Sequence, residues 1–331
     1  MIQCIYLKPR SAFPYPLHSD TIFGALCVGI QELYGNDKLE NLLSSFNTKL
    51  PFLVSSAFPF IEANNKRVHF FPNPIIKPQK IENLDVKKLK KAKAYKKTKY
   101  VSEWIFNQII SEKLNAMDLI EGIENIYKVK SGLLFDSNQK LVFKIATIDT
   151  PRNAINRING STDIFYSSGT YFEHSGLFFM VKYKNQSCKK LVKPVWRFLQ
   201  DRGIGGDISS GKGEFKVEFG KSNNNPIEEP EDTNAILTLS LYHPSKDEIK
   251  EFANRKEGIW YNLITRKGKS KGRKAIGSWR KSIRCFGEGS TFPDIRLDKY
   301  GKIETILEKD KSKLNHDIIQ YGIAYPVKIK R

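Results

Sequence analysis

An α+β fold of two successive β-α-β-β-α-β halves is the architecture this sequence predicts. Three observations carry that expectation. Short runs with a two-residue apolar period alternate with helical runs of 3.6-residue period, and the alternation restarts after a polar break near residue 225. A glycine-rich loop, Arg202 to Phe215, sits between a helical run and a strand-like run. The chain has 331 residues and is 40% hydrophobic, enough material for about two domains.

Residues 2 to 8 alternate and predict a strand; Pro14 and Pro16 mark a loop. Ser19 is placed as the N-cap of a helix from Asp20 to Tyr34. Its apolar face is Ile22, Phe23, Leu26, Cys27, Ile30 and Leu33, and Gly35 is its stop. A shorter helix spans 38 to 46, and strands at 52–58 and 67–71 flank the turn-prone Asn64-Asn65. Residues 77 to 99 change character: a lysine block with few core residues, expected to be a mobile or surface segment. Ser102 caps a helix to about Leu114. Runs at 141–148 and 164–172 form the two arms of a long excursion with its tip at residues 150–161. A strand at 176–183, a helix at 189–200, the glycine loop and a strand at 214–219 close the first half.

Residues 221–233 are polar, contain proline and lack apolar period, which marks a linker between units at 1–220 and 234–331. Beyond it come strands at 235–242 and 258–265 around a helix at 245–252 capped by Ser245, then strand-like runs at 275–286 and 322–328. Each half thus resembles the ferredoxin-like unit with large insertions.

The charge balance favours a polyanionic partner. Lys+Arg is 55 against Asp+Glu at 35, a formal charge of +20, with a pI near 9.6. Such a chain binds nucleic acid at least non-specifically through counterion release. Cys4, Cys27, Cys188 and Cys285 are scattered, without a C-x-x-C, which argues against a zinc site or a disulfide framework and fits a reducing cytoplasm. The N-terminus is too short and polar a run for a signal peptide, and no apolar run approaches the ~18 residues of a membrane helix. There is no H-E-x-x-H and no defensible acidic metal cluster, so neither a metal nor a cofactor is expected.

The glycine loop contains Gly203, Gly205, Gly206, Gly211 and Gly213, with Ser209, Ser210 and Lys212 among them and Arg202 before them. Glycine permits positive φ and close approach of a ligand, and successive bare N–H groups make a concave anion site. The plain alternative is a turn without a ligand. Gly206 to Lys212 spells most of a nucleotide-hydrolase phosphate loop. However, Gly213 offers no hydroxyl to Mg²⁺, and the order helix, loop, strand is reversed from what such a loop needs.

His18 and Ser19 sit just before a helix, where three readings stand: a cap alone, a cap that also touches phosphate, and a general base. In the tip, Arg152, Asn153, Asn156 and Arg157 combine guanidinium groups, which grip phosphate, with amides, which read base edges. Ile155 and Ile158 either wedge between bases or pack back on the excursion. A basic stretch from Arg266 to Lys274, followed by Trp279, Arg280, Lys281, Arg284 and Phe286, mixes cations with aromatics in its second half, which suits single-stranded RNA. The lysine block at 87–99 is expected to be solvated surface.

Four segments in order resemble one family: Pro16 to Ala25, Arg152 to Arg157, Gly203 to Phe215, and Glu288-Gly289-Ser290 after the late basic run. They are similar to the RAMP superfamily of CRISPR proteins, specifically the type III-A Csm-complex subunit that caps the 5′ end of the guide RNA. The resemblance implies two ferredoxin-like, RRM-related domains, a glycine-rich loop at 203–213 and a protruding β-hairpin thumb at about 141–172. It implies a non-catalytic subunit that holds the crRNA 5′ handle, docks the large polymerase-like subunit, abuts the adjacent backbone RAMP subunit and meets target RNA indirectly. The rival it leaves open is a metal-independent RAMP endoribonuclease that processes repeat RNA with His18 as base. The insertion at 77–99 departs from the family pattern.

Overall fold

The computed structural model describes residues 1–63, 66–78, 85–205, 208–255, 258–267, 281–308 and 317–331. The chain opens with β1 (Ile2–Pro9), α1 (Ser19–Tyr34), α2 (Asn36–Thr48), β2 (Phe52–Val54), β3 (Phe58–Ala63) and β4 (Lys66–Pro72). An inserted region follows: α3 (Val86–Lys96), β5 (Tyr100–Ser102), α4 (Glu103–Ile110), α5 (Ala116–Gly122), β6 (Tyr127–Lys130) and β7 (Leu133–Asp136). Next come β8 (Lys144–Ile155), β9 (Thr162–Glu173), β10 (Ser175–Tyr183), α6 (Gln186–Arg202) and β11 (Phe215–Phe219). The last third holds β12 (Ala235–Thr238), α7 (Lys246–Asn254), β13 (Leu263–Arg266), β14 (Ile283–Phe286) and β15 (Thr291–Pro293), then β16 (Gly301–Leu307), β17 (Ile318–Ile323) and β18 (Pro326–Ile329).

One mixed sheet organises the first two thirds, in the order β11-β1-β10-β3-β4-β5-β7-β6, with β2 also on β10. Only β5 and β7 pair in parallel among these strands. β1 is central because it is apolar on both faces: Cys4, Ile5, Tyr6 and Leu7 are all buried. Its register against β10 runs from Ile2 opposite Lys182 to Leu7 opposite Leu177. The inserted region thus widens the sheet at the β4 edge. The last third forms a three-stranded sheet, β15-β12-β18, and two hairpins, β13-β14 and β16-β17. Among the described residues, α7 is its single helix.

The two halves share a core. Phe23 of α1 stacks on Tyr321 of β17 at 4.7 Å, and Ala235, Leu237, Val327 and Ile329 belong to the same buried cluster as β1. The polar segment at 221–233 is packed too. Ile227 is buried, and the Asn107 amide clasps it, donating to Pro226 O at 3.1 Å and accepting from Glu228 N at 3.1 Å.

Several local expectations change. The helix placed at 102–114 ends at Ile110, and Asn115 starts α5 with a reciprocal cap to Asp118. Part of the lysine block is helix α3. Asp85 accepts from Lys88 N, lysine propagates helix well, and Ala94 and Tyr95 pack against the main core. The run placed at 275–286 is strand from Ile283; residues 268–280, with Lys269, Lys271, Arg273, Lys274, Trp279 and Arg280, lie outside the described residues. Among the described residues, no helix is long and apolar enough to cross a membrane.

Candidate nucleic-acid interface

The excursion is a hairpin, β8 against β9, with twelve registered pairs from Lys144 opposite Glu173 to Ile155 opposite Thr162. Its tip is smaller than the sequence suggested. Arg152, Asn153 and Ile155 lie within β8, opposite Phe165, Ile164 and Thr162, while Asn156 and Arg157 are in the turn. The register continues through Pro151, which lies opposite Tyr166. The Asn156 side chain accepts from Ile158 N at 2.9 Å, so its carbonyl shapes the turn. Beyond its base the hairpin is uncovered on both faces: Ile155, Ile164, Phe165 and Tyr166 are exposed, and Ile158 is 96% exposed.

The base of this hairpin is tied to the glycine loop through residues 10–15. Phe13 and Thr170 exchange both backbone hydrogen bonds, at 2.9 and 3.1 Å. Gly213 N donates to Ala12 O at 2.9 Å, and Arg10 N to Glu214 O at 2.9 Å. Tyr15 meets Phe172 edge to face at 5.8 Å. Two side chains latch loop to hairpin directly. The Lys212 ammonium donates to Ser168 O at 2.9 Å and to the Ser167 hydroxyl, and the Arg152 guanidinium donates to Ser210 O at 3.4 Å.

The loop itself follows the helix-to-strand order. Gly203 ends α6 with φ +85°, its N–H on Leu199 O at 2.8 Å. Ile208–Ser210, which includes Ser209, form a single 3₁₀ turn. Gly211 and Gly213 both have positive φ, but for different surroundings. A Cβ on Gly211 would meet open space, whereas one on Gly213 would intrude on the Ile204 carbonyl. Gly205 also has positive φ and lies against Pro14. Gly206 lies outside the described residues. Arg202 is paired with Glu32 of α1.

The start of α1 differs from expectation. His18, not Ser19, is the N-cap residue, and it makes no side-chain cap. Ser19 is fully buried; its hydroxyl accepts from Leu241 N at 3.0 Å and its N–H donates to Ser56 Oγ at 2.8 Å. The hydroxyl that seemed placed for capping is drawn inward because the last third packs over the helix end. His18 Nδ1 lies 2.7 Å from Glu288 Oε1, and Ser56 also donates to that oxygen. Burial by itself would raise the Glu288 carboxyl, but hydrogen bonding to His18, the imidazole charge and the Ser56 hydroxyl outweigh it, so it sits below the usual carboxylate value. Asp20, in the first turn, takes Arg266 through both oxygens, at 2.7 and 3.3 Å. Lys281 pairs with Glu304 at 3.1 Å, and Arg284 is exposed on β14.

Sequence reasoning missed the partnership of His18 with Glu288. Glu288 stood out only as part of a Glu-Gly-Ser turn, and no local period links positions 270 apart.

A glycine loop latched to a bare hairpin beside an antiparallel β1-β10-β3 core defines the class. The chain belongs to the RAMP superfamily, whose model matches residues 13–216 and so holds the α1 start, the hairpin and the loop. Residues 231–329 match the CRISPR Csm4 C-terminal domain. The curated "CRISPR system Cms protein Csm4" of Thermococcus onnurineus (strain NA1) is 24% identical over 332 residues, covering 98% of this chain and 96% of that protein. Among solved structures, a chain of the Csm3-Csm4 subcomplex in the type III-A CRISPR-Cas interference complex superposes with TM-score 0.68 at 16% identity, covering 99% of this chain and 100% of that one. A chain of the Csm1-Csm4 cassette in complex with pppApA gives TM-score 0.63 at 20% identity, covering 99% and 98%. The family resemblance read from four motifs is borne out, and these structures share the fold.

Proposed function

We propose that this protein is a non-catalytic RNA-binding subunit of a type III-A Csm complex, holding the crRNA 5′ handle between the glycine loop and the thumb hairpin. The observation that carries the reading is the hairpin: it is bare on both faces, studded with isoleucines and aromatics, and latched at its base to a glycine loop in a chain of charge +20. Isolated two-stranded hairpins are marginal in water, so a surface of this kind serves a partner. The N–H groups of Gly203, Gly211 and Gly213 are used within the protein, at 2.8, 3.0 and 2.9 Å, so cations such as Arg157 grip phosphate, while Ile155 and Ile158 intrude between nucleotides.

The finer architecture follows the same reading. β1, α1, β3, β10, α6 and β11 have the strand order of a ferredoxin-like, RRM-related unit, β11-β1-β10-β3. We take 1–220 as that unit, 221–233 as the connection and 234–331 as the second. The relatives' company supplies the partners: a large polymerase-like subunit corresponding to Csm1, and a backbone RAMP subunit corresponding to Csm3. Target RNA is met only through the complex.

The test is anisotropy of a labelled handle RNA over a salt series. Arg157→Ala is expected to weaken binding and reduce the salt slope by about 0.7, the value for one phosphate on a single strand. Unchanged affinity and slope for Arg157→Ala and for Ile158→Ser together would refute the thumb assignment. One observation favours the rival endoribonuclease: the Glu288 carboxylate orients His18, as an orienting group does for a general base. Metal-independent cutting of labelled repeat RNA that is lost in His18→Ala would establish it; uncut RNA with and without EDTA is the expected result.

A further inference from the structure

A groove of about 1280 Å³ runs between the inserted region and the last third of the chain. Ile76, Ile109 and Leu114 line it from one side and Ile259 and Trp260 from the other, and no described residue of the hairpin or the glycine loop reaches it. Small-ligand pockets are about 300–1,000 Å³, so this volume suits a stretch of chain.

Its charge is one-sided. Lys77, Arg255, Lys330 and Arg331 line it against Glu112, its one side-chain carboxylate among the described residues. Arg331 is held from behind. Asn234 fixes its backbone, donating to Arg331 O at 2.6 Å and accepting from Arg331 N at 3.1 Å. Its guanidinium lies against Gly258, where a Cβ would collide with it. A guanidinium has five N–H donors, and among the described residues this one donates to Thr291 Oγ1 alone, at 3.3 Å. The group is partly buried and pairs with no carboxylate there, and burial lowers it from its usual value. A partly buried cation without a counter-charge is costly, and its free donors call for an anion. Arg255 and Lys330 are exposed on the rim; the Arg255 guanidinium donates to Asp294 O at 3.4 Å, and neither residue pairs with a carboxylate among the described residues.

The floor decides which anion. Single-stranded RNA is held on successive rings, and here one aromatic ring stands among four aliphatic side chains. A protein contact has an apolar centre, with Trp and Arg over-represented and charge at the rim. One wall, Arg255 with residues 258–260, falls in the stretch 231–329 matched by the Csm4 C-terminal domain and outside the RAMP match at 13–216. A contact built there serves a partner that RAMP chains in general do not dock. We propose that the groove docks an acidic segment of the large polymerase-like subunit, its carboxylates on Arg331, Arg255 and Lys330 and its apolar side chains on Ile259 and Trp260. The inference rests on the assembly reading above and names the surface used and the chemistry of the segment it takes.

The experiment uses the full chain as wild type, Arg255→Glu/Lys330→Glu and Arg331→Gln. Lys190→Glu/Arg197→Glu, on exposed positions of α6, makes the same charge change outside the groove. Probes are the purified large subunit and backbone RAMP subunit, by surface-immobilised kinetics over a salt series, and labelled handle RNA by anisotropy. Arg255→Glu/Lys330→Glu is expected to weaken the large subunit about 10-fold or more, mainly by slower association, and the loss should shrink as salt rises. Arg331→Gln should cost about 10-fold, mainly by faster dissociation, because its pair is desolvated. The backbone subunit and the RNA should respond no more than they do to the α6 control. A large subunit bound equally by all variants overturns the groove and leaves the assembly reading standing. A loss confined to the backbone subunit, or to RNA beyond the control, overturns the occupant named here. A large subunit that wild type does not bind sinks the groove and the assembly reading together.

Discussion

Gly213 gives the sharpest test of how the loop is built. Its φ is +82°, and its N–H and C=O are both used, to Ala12 O at 2.9 Å and from Ile204 N at 3.1 Å. A Cβ would lie 3.0 Å from the Ile204 carbonyl carbon and closer still to its oxygen, both backbone atoms. Gly213→Ala therefore adds a left-handed backbone penalty of about 1–2 kcal/mol. It also forces the loop to part from Ile204, which weakens two hydrogen bonds of about 1 kcal/mol each. The expected loss is about 3–4 kcal/mol. Gly211→Ala is the control. It shares the positive φ, at +77°, but its Cβ meets open space, so only the backbone penalty of about 1–2 kcal/mol applies. Urea unfolding of both variants, compared at unchanged m, reads the difference. Equal midpoints within about 0.5 kcal/mol would refute the claim that the Ile204 contact, rather than φ alone, demands glycine at 213.

Three further outcomes are expected. Ser19→Ala strands Leu241 N–H in the core and should cost about 1–3 kcal/mol while leaving RNA affinity of the folded protein intact; an affinity loss without destabilisation would restore a direct RNA role. Glu288 titrates below its ordinary 4.5, so the folded protein takes up that proton less readily than the unfolded chain. Its contribution is complete above the unfolded value and is lost as pH falls through the lower folded value. Glu288→Gln should accordingly flatten the decline of urea stability between pH 6 and 3, and an unaltered acid limb would contradict it. Lys212→Ala should speed hydrogen exchange at Ser168 to Thr170 with a global loss under about 1 kcal/mol, since the latch is partly exposed; unchanged exchange there would remove Lys212 as the latch.

Much of this molecule is written in local sequence. The two-residue period of β1, the apolar stripe of α1, the helix before the glycine loop and the strand after it depend on neighbours within a few positions, and the net charge of +20 is a plain sum over the chain. Four short motifs were enough for the family. The errors share a cause. Ser19 has the chemistry of a cap, yet Leu241, 222 positions away, claims its hydroxyl. Arg152 and Asn153 look like loop residues, but the ladder with Phe165 and Ile164 extends the strand through them. Lys212 looks like a free cation, and the hairpin occupies it.

Sequence alone therefore determined the segments of β1, α1, α6 and β11, that glycine would be needed after α6, and that the chain would be cationic, because each follows from backbone sterics, side-chain periodicity and net charge. Tertiary structure alone decided which polar groups remain available. His18 meets Glu288, Asp20 meets Arg266, and the Thr98 hydroxyl is buried without a hydrogen-bond partner among the described residues, because each outcome depends on which distant backbone and side-chain groups the packed sheet brings within about 3 Å.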